Sequence, residues 1–300
     1  MKKTLAMMTA AVMVAGALSG CGSSSSTPAA TTAAATEAAT TAAATAAATD
    51  AATTEAGDTA AAAEGTVKTP SGKFTVGFDQ EFPPMGFVGD DGQFTGFDLE
   101  LAKEVASRLG LEFVPQPINW DAKDMELDSG NIDCIWNGFT MQGREDDYTW
   151  VGPYMANNQV FVVTADSDIA SKADLAGKAV EVQKDSSGLA ALQGEAELSA
   201  SFGSMTEVAD YNTALMDLES GACDAVCMDS IVAGYQIKSS GKDMKILDDT
   251  LSAEEYGIGF KKGEDELAKA VHDTLMDMKD DGTVAKISND WFGSDVFTLK

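Results

Sequence analysis

The feature that most restricts what this chain can fold into is a pattern written twice. "MELDSGNIDCIWNG" (Met125 to Gly138) aligns without a gap on "MDLESGACDAVCMD" (Met216 to Asp229) at an offset of 91 residues, with Met, Leu, Ser, Gly and Asp identical in place. Each copy reads as the end of a helix, a glycine C-cap, a turn aspartate and a strand, because glycine takes the left-handed helix stop without a Cβ penalty. Chance matches a few small residues, but matching types in register favour two similarly built lobes. In open α/β sheets, ligands sit beyond the carboxyl ends of the strands. Those ends carry Asn137 and Gly138 in one copy and Asp229 in the other.

Around the two copies, strand-like and helix-like segments alternate. "KFTVGFD" (Lys73 to Asp79) is apolar and β-prone. "GFDLELAKEVASRLG" then predicts a helix with Asp98 as N-cap, an apolar stripe at Ala102, Val105, Ala106 and Leu109, and Gly110 as C-cap. "QVFVVTA", "KAVEVQ" and "DAVCMD" read as further strands, and Leu267, Val271, Leu275 and Met278 mark a C-terminal helix. The alternation predicts an α/β fold of two lobes, with mostly parallel sheets and helices on both faces.

The first 69 residues stand apart from this pattern. Lys2 and Lys3 precede an apolar stretch, Leu5 to Leu18, too short to span a membrane and laid out as a secretory signal peptide over residues 1–20. "LSGC" (Leu18 to Cys21) closes it and resembles a lipobox, in which the cysteine becomes the acylated mature N-terminus; the alternative is an ordinary signal peptide with an incidental cysteine. A lipid on Cys21 would hold the protein at the outer face of the cell membrane. Residues 21–69 are almost entirely Ala, Thr and Ser with a few acids, which cannot bury enough apolar area to offset chain entropy. They predict a flexible tether of roughly 40 Å root-mean-square span, with nascent helix as the alternative.

Charge narrows the partners. The chain has 48 Asp plus Glu against 20 Lys plus Arg, and loss of residues 1–20 would move the formal charge from -28 to -30. Such a surface argues against nucleic acid and against basic patches for anionic lipid. Only two of the cations are arginines, Arg108 and Arg144. With 18 lysines available, Arg144 at the end of the apolar run "CIWNGFTMQGR" asks for a planar, two-oxygen partner.

Five segments in order resemble the amino-acid-binding lipoproteins and periplasmic proteins that feed ABC importers, solute-binding family 3. They are "VGFDQEFPPMGF", "GQFTGFDLELAKEVASRLG", "ELDSGNIDCIWNGFTMQGRE", "DLAGKAVEVQKDSSG" and "YGIGFKKGEDELAKAV" with its continuation to "NDWFG". The resemblance implies a type 2 periplasmic-binding fold: two lobes joined by two hinge crossings and closing over one ligand. Lobe 1 would take residues 70–157 and 251–300, and lobe 2 residues 158–250. The resemblance also implies a monomeric protein that hands an amino acid to an ABC permease.

It carries site roles to matching positions. Arg144 resembles the arginine that grips the ligand α-carboxylate, with Gly138 and Thr140 as neighbours offering backbone and hydroxyl contacts. Ser187 matches a backbone donor to the same carboxylate at a helix N-terminus. Asp229 resembles the acid that pairs with the α-ammonium. Asp79 and Phe82 look like the first-lobe pair lining the pocket, Trp120 like an aromatic wall, and Asn137 stands beside Gly138. Two departures are visible: "GFTMQGR" is one residue shorter than the usual Gly-x-Thr-x-Thr-x-x-Arg, and Asp185 stands where a glycine is common. A carboxylate at 185 would repel a ligand carboxylate unless it points outward.

Plainer roles compete for the same residues. Arg144 could pair with Glu145, Asp146 or Asp147, and Asp79 and Asp229 could be strand-end turn acids. Phe82 and Trp120 could be core, as Trp136 is expected to be, since strand alternation sets it on the face opposite Ile135 and Asn137. Cys134, Cys223 and Cys227 are expected as buried free thiols, the latter two being too far apart along one predicted strand to bridge. No His/Cys cluster, calcium-loop spacing or phosphate loop is present, so neither metal nor cofactor is expected. A dehydratase of similar body would need a general acid, for which Glu81 beside Asp79 is the candidate; a solute-sensing domain is a third reading. Which amino acid binds is open, between polar, cationic and cystine-like.

Overall fold

The computed structural model of the chain describes Thr69 and residues 71–300. The predicted signal peptide, the lipidation site Cys21 and most of the predicted tether lie outside the described residues. Thr69 itself is buried, and its hydroxyl donates to the Lys73 carbonyl.

Strand β1 (Lys73–Phe78) leads into a small antiparallel sheet of β2 (Glu81–Phe82), β3 (Gly86–Val88) and β4 (Phe94–Thr95). Helix α1 (Phe97–Leu109) follows, then β5 (Glu112–Pro117), α2 (Lys123–Asp128) and β6 (Cys134–Thr140). β7 (Tyr148–Thr164) is 17 residues long. Beyond it come β8 (Ala179–Gln183), α3 (Ser187–Gly194), α4 (Ala196–Ser201), β9 (Ser204–Val208), α5 (Tyr211–Ser220), β10 (Ala225–Asp229), α6 (Ser230–Ser240), β11 (Met244–Ile246) and β12 (Ser252–Lys261). Helices α7 (Asp265–Asp280) and α8 (Thr283–Phe292) close the chain.

The main sheet runs β5-β1-β6-β12-β7-β10-β8-β9, with β11 also on β7. β5, β1 and β6 are parallel, as are β9, β8 and β10. Both triplets put their first strand in the middle, so the two halves share one local topology. Every antiparallel pair of this sheet involves β7 or β12: β7 with β10, β11 and β12, and β12 with β6. The long β7 pairs along its length with β12, from Gln159 opposite Ser252 to Tyr148 opposite Lys261, and these two strands carry the chain between the halves.

The repeated pattern marks equivalent places. α2 and α5 stop near Gly130 and Gly221, at φ 76° and 77°, and β6 and β10 follow. In the first copy Asp133 accepts from the Thr75 N–H at 2.6 Å and returns its own N–H to the Thr75 carbonyl at 2.8 Å. In the second, Asp224 does the same with Ala179, at 2.8 Å in both directions. The turn aspartates therefore clamp each copy's last strand to the start of its central strand.

Two details differ from expectation. α1 stops at Gly110 in the left-handed region as predicted, but its N-cap is Gly96 rather than Asp98. A Cβ at Gly96 would meet the Met85 carbonyl oxygen at 2.3 Å, so only glycine fits there. Asp98 sits in the first turn, fully buried, because its carboxyl is engaged by the Gly138 N–H at 2.7 Å and the Tyr154 hydroxyl at 2.8 Å. Cys223 precedes β10 instead of lying on it; it, Cys134 and Cys227 are buried free thiols. Trp136 is core, on the opposite side from Ile135. Leu267, Val271, Leu275 and Met278 form the buried face of α7.

Candidate functional site

β6 and β10 end at the seam between the halves, and α3 starts there. Seven of the nine residues singled out from sequence, Phe82, Trp120, Gly138, Thr140, Arg144, Ser187 and Asp229, surround one cavity with Gln183 and Ser186. That cavity measures about 10 Å³, no more than one water requires, so in this arrangement it is too small for an amino acid.

Arg144 follows a turn in which its N–H bonds the Met141 carbonyl, with Gly143 at φ 79°. The guanidinium lies 5.1 Å from the Phe139 ring centre and donates to the carbonyls of Thr140 (3.2 Å) and Asp185 (3.5 Å). Among the described residues no carboxylate pairs with it, so the predicted alternative of an ion pair with Glu145, Asp146 or Asp147 is not what forms. Arg108, by contrast, is saturated by Glu104 and Asp281.

Facing it, Ser186 caps α3 by accepting from the Leu189 N–H, and Ser187 is the first helical residue. The leading N–H groups of a helix have no partner inside it and favour an anion. The Thr140 hydroxyl reaches across to Ser187 Oγ at 3.2 Å. Asp185 holds φ 56°, a left-handed conformation that explains why glycine suits this position. Its carboxylate is turned to the ammonium of Lys123, which is only 2 % exposed and lies 5.3 Å from the Trp120 ring centre. The acid thus leans away from Arg144 and is neutralised.

Asp229 ends β10, 3 % exposed. Its oxygens accept from the hydroxyls of Tyr211 and Tyr256 and from Asn157 Nδ2, each at 2.7 Å. Burial pushes both tyrosines well above their ordinary range, so they stay protonated donors. Phe82 stacks on Tyr211 at 5.7 Å, and a Cβ at Gly138, where φ is 56°, would come within 2.9 Å of Phe82 and 3.1 Å of Tyr256.

Three of the sequence-predicted residues spend contacts elsewhere, and two of them, Asn137 and Asp79, do not line this cavity. The Gly138 N–H is taken by Asp98, and the Asn137 side chain accepts from the Asp79 N–H at 3.0 Å without lining the cavity. Burial lifts Asp98 to about 7 despite its donors. Asp79 belongs to a neighbouring cavity of about 930 Å³ shared with Trp120 and rimmed by Glu81, Asp121, Glu126, Glu207 and Asp210. Its carboxyl accepts from Gln183 Nε2 at 2.7 Å, and burial foremost raises it to about 6. Sequence reasoning missed Gln183, Lys123, Asn157, Gln159, Tyr211, Tyr256 and Glu254. Gln183 ends β8 as Asp79 follows β1, so strand-end position was a usable signal; the others depend on which elements pack together.

The chain matches the family model for bacterial extracellular solute-binding proteins, family 3, over residues 74–294. It is 32% identical over 231 residues to an L-cystine-binding protein, TcyJ, of Escherichia coli (strain K12), covering 75% of this chain and 84% of that protein. It is 30% identical over 226 residues to the arginine-binding extracellular protein ArtP of Bacillus subtilis (strain 168), covering 73% and 86%. Among solved structures, an ABC uptake transporter substrate-binding protein from Streptococcus pneumoniae with bound histidine superposes with a TM-score of 0.74 at 34% identity, over 76% of this chain and 95% of that one.

Proposed function

Because the chain belongs to the bacterial extracellular solute-binding proteins of family 3, we propose that it captures an amino acid between its two halves and delivers it to an ABC permease. The observation that carries this is Arg144: a guanidinium in the seam with no carboxylate of its own, in one cavity with the carboxylate of Asp229. An α-carboxylate and an α-ammonium are the two charges such a pair lacks. Ser187 at the start of α3 and Thr140 complete the anion side, and Tyr211 and Tyr256 hold Asp229 in place. Lobes of residues 70–157 with 251–300 and of 158–250 would rotate about β7 and β12, the ligand stabilising the closed form.

The acids around the neighbouring cavity favour a ligand with a polar or positive far end, with Asp79, Phe82 and Trp120 beside its stem. The relatives named for cystine and arginine, and the structure holding histidine, are consistent with that class. The family is one of solute-binding proteins, and we read the chain as non-catalytic: the carboxyls of Asp79 and Glu81, the pair a dehydratase would draw on, accept from the side-chain amides of Gln183 and Asn212. A lipid on Cys21 would anchor the monomer outside the cell membrane.

A thermal-shift panel of arginine, lysine, histidine, glutamine and cystine tests the reading. A ligand at a hundred times its Kd adds about 2.7 kcal/mol, which for a body of this size is a rise of roughly 5–10 °C. No rise with any of them would remove the amino-acid assignment. Mass spectrometry after prolonged incubation should return the ligand unaltered, and a dehydrated product would mean an enzyme.

A further inference from the structure

The crossing strands hold a buried carboxyl that none of the recognition contacts above uses. Glu254 on β12 lies directly opposite Asn157 on β7 and is 5 % exposed. Its Oε1 accepts from Asn157 Nδ2 at 2.6 Å, Gln159 Nε2 at 2.9 Å and Ser187 Oγ at 3.4 Å. The same Asn157 Nδ2 donates to Asp229 Oδ1. Glu254 therefore touches the anion side of the site through Ser187 and the cation side through Asn157. Among the described residues no Lys or Arg pairs with Asp229 or Glu254.

Two carboxyls that share one amide donor away from water resist holding two negative charges. Burial foremost, and then the charge of Asp229, raise Glu254 to about 7. The other titratable groups facing it are Cys227 on β10, Tyr211 on α5 and Tyr256 on its own strand, all pushed well above their ordinary range and so protonated. Glu254 also lines a third cavity, of about 460 Å³, with Gln142, Asn158, Ser230 and Glu255. None of the residues lining this cavity lines the cavity at Arg144 and Asp229.

We propose that Glu254 is a positioning residue of the amino-acid site that releases a proton through this third cavity as a ligand ammonium docks against Asp229. The inference rests on the amino-acid reading above. Without ligand, a carboxylic acid and a carboxylate together carry one negative charge. When the ammonium arrives, the Glu254 O–H bond breaks and its proton passes to buffer, leaving two carboxylates around one ammonium. The two carboxyls together with the ammonium carry one net negative charge before and after, and the arriving positive charge is what favours the ionised form of the neighbouring acid. Asn157 and Gln159 keep the ionised carboxylate in the same orientation.

The test is titration calorimetry of the full chain with L-arginine, L-histidine or L-cystine, whichever raises the melting temperature most, at pH 7 in phosphate and in Tris. The apparent enthalpies should differ by roughly half a proton times the difference in buffer ionisation enthalpy. Affinity should strengthen on the order of four-fold from pH 6.5 to pH 8. Glu254→Gln should cut the released proton to the small share left by Asp79. Equal enthalpies in the two buffers for the wild-type chain would overturn the inference alone, as would an unchanged proton count in Glu254→Gln. The wild-type comparison decides even if that variant does not fold. Failure of all three probes to bind overturns the amino-acid reading and this inference together.

Discussion

The ends of β6 and β10 are the same place in a repeated unit, yet they do opposite things. Gly138 and Asp229 occupy equivalent positions 91 residues apart. Around them the copies agree, in the aspartate clamps to Thr75 and Ala179 and the left-handed glycines at 130 and 221. At the strand end they part. The first copy has no side chain, and the rings of Phe82 and Tyr256 stand where one would be; the second presents a carboxylate held by the hydroxyl of that same Tyr256. The repeat supplies two scaffolds: the second ends on the negative charge of Asp229, whereas the positive charge beside the first comes from Arg144, past the repeated stretch.

The largest expected effect breaks that division of charge. Truncating one partner of a shielded charge pair costs about 2–5 kcal/mol, so Arg144→Ala should weaken amino-acid binding roughly 30-fold to several thousand-fold. Arg144→Lys, which keeps the charge and loses the fork, should fall between. The two sides differ in what else they support. Arg144 bonds only two carbonyls and is partly exposed, so its loss should leave the melting temperature of the ligand-free protein nearly unchanged. Asp229→Ala strands the hydroxyls of Tyr211 and Tyr256 without their acceptor, leaves Asn157 with Glu254 alone, and should also lower it, each stranded hydroxyl costing about 1 kcal/mol or more. Calorimetry and thermal unfolding on both variants decide this. Wild-type affinity in Arg144→Ala would mean the site is wrongly placed.

That asymmetry also marks where sequence reading stops. The repeat was legible because glycine stops and turn aspartates act locally, and so were α7 and β1, whose apolar spacing is set by their own backbone period. Asp98 was misread because its local role as a cap lost to partners 40 and 56 residues away, Gly138 and Tyr154. Asn137 neighbours Gly138 in sequence, yet its side chain meets the Asp79 N–H, a contact that strand position alone does not reveal. Lys123 and Glu254 were invisible: one is a lysine among acids on a short helix, the other a glutamate on an outwardly polar strand. Their roles exist only once β7 and β12 bring the halves together.

A second test asks whether the glycine end is as fixed as the carboxylate end. Gly138→Ala sets a Cβ at φ 56° within 2.9 Å of Phe82 and 3.1 Å of Tyr256. Left-handed strain and overpacking together predict about 3 kcal/mol of lost stability, read as a lowered midpoint in denaturant unfolding. A loss under about 1 kcal/mol would show that the aromatic rings yield and that the copies differ less than they look.

The acid behind Gly138 gives a smaller effect with a definite sign. Asp98 titrates near 7 in the fold against 3.8 ordinarily, so between those values the native state binds more protons than the unfolded chain. Stability from this group is therefore greatest at low pH and falls as pH rises, by on the order of 2 kcal/mol between pH 5 and pH 7.5. Asp79 and Glu254, also raised, act in the same direction. Asp98→Asn should flatten the slope of unfolding free energy against pH in this window. An unchanged slope would mean that Asp98 is ionised in the fold.

The smallest effect probes the contact that joins the two sides. Asp185 holds a left-handed backbone while its carboxylate meets Lys123 from the other half. Asp185→Gly relieves backbone strain of about 1 kcal/mol, but a glycine adds nearly as much freedom to the unfolded chain, so folding stability should barely move. What remains is the pair itself. The lysine is buried, yet the acid's side chain is 51% exposed, so solvent screening keeps the pair's contribution to closure near 0.5–1 kcal/mol. Asp185→Gly and Lys123→Met should each weaken ligand binding by less than about five-fold, and the double variant should be no weaker than the worse single one. Strictly additive losses would show that the two residues act separately. The departure from glycine at 185 would then be a local backbone matter with no part in holding the copies together.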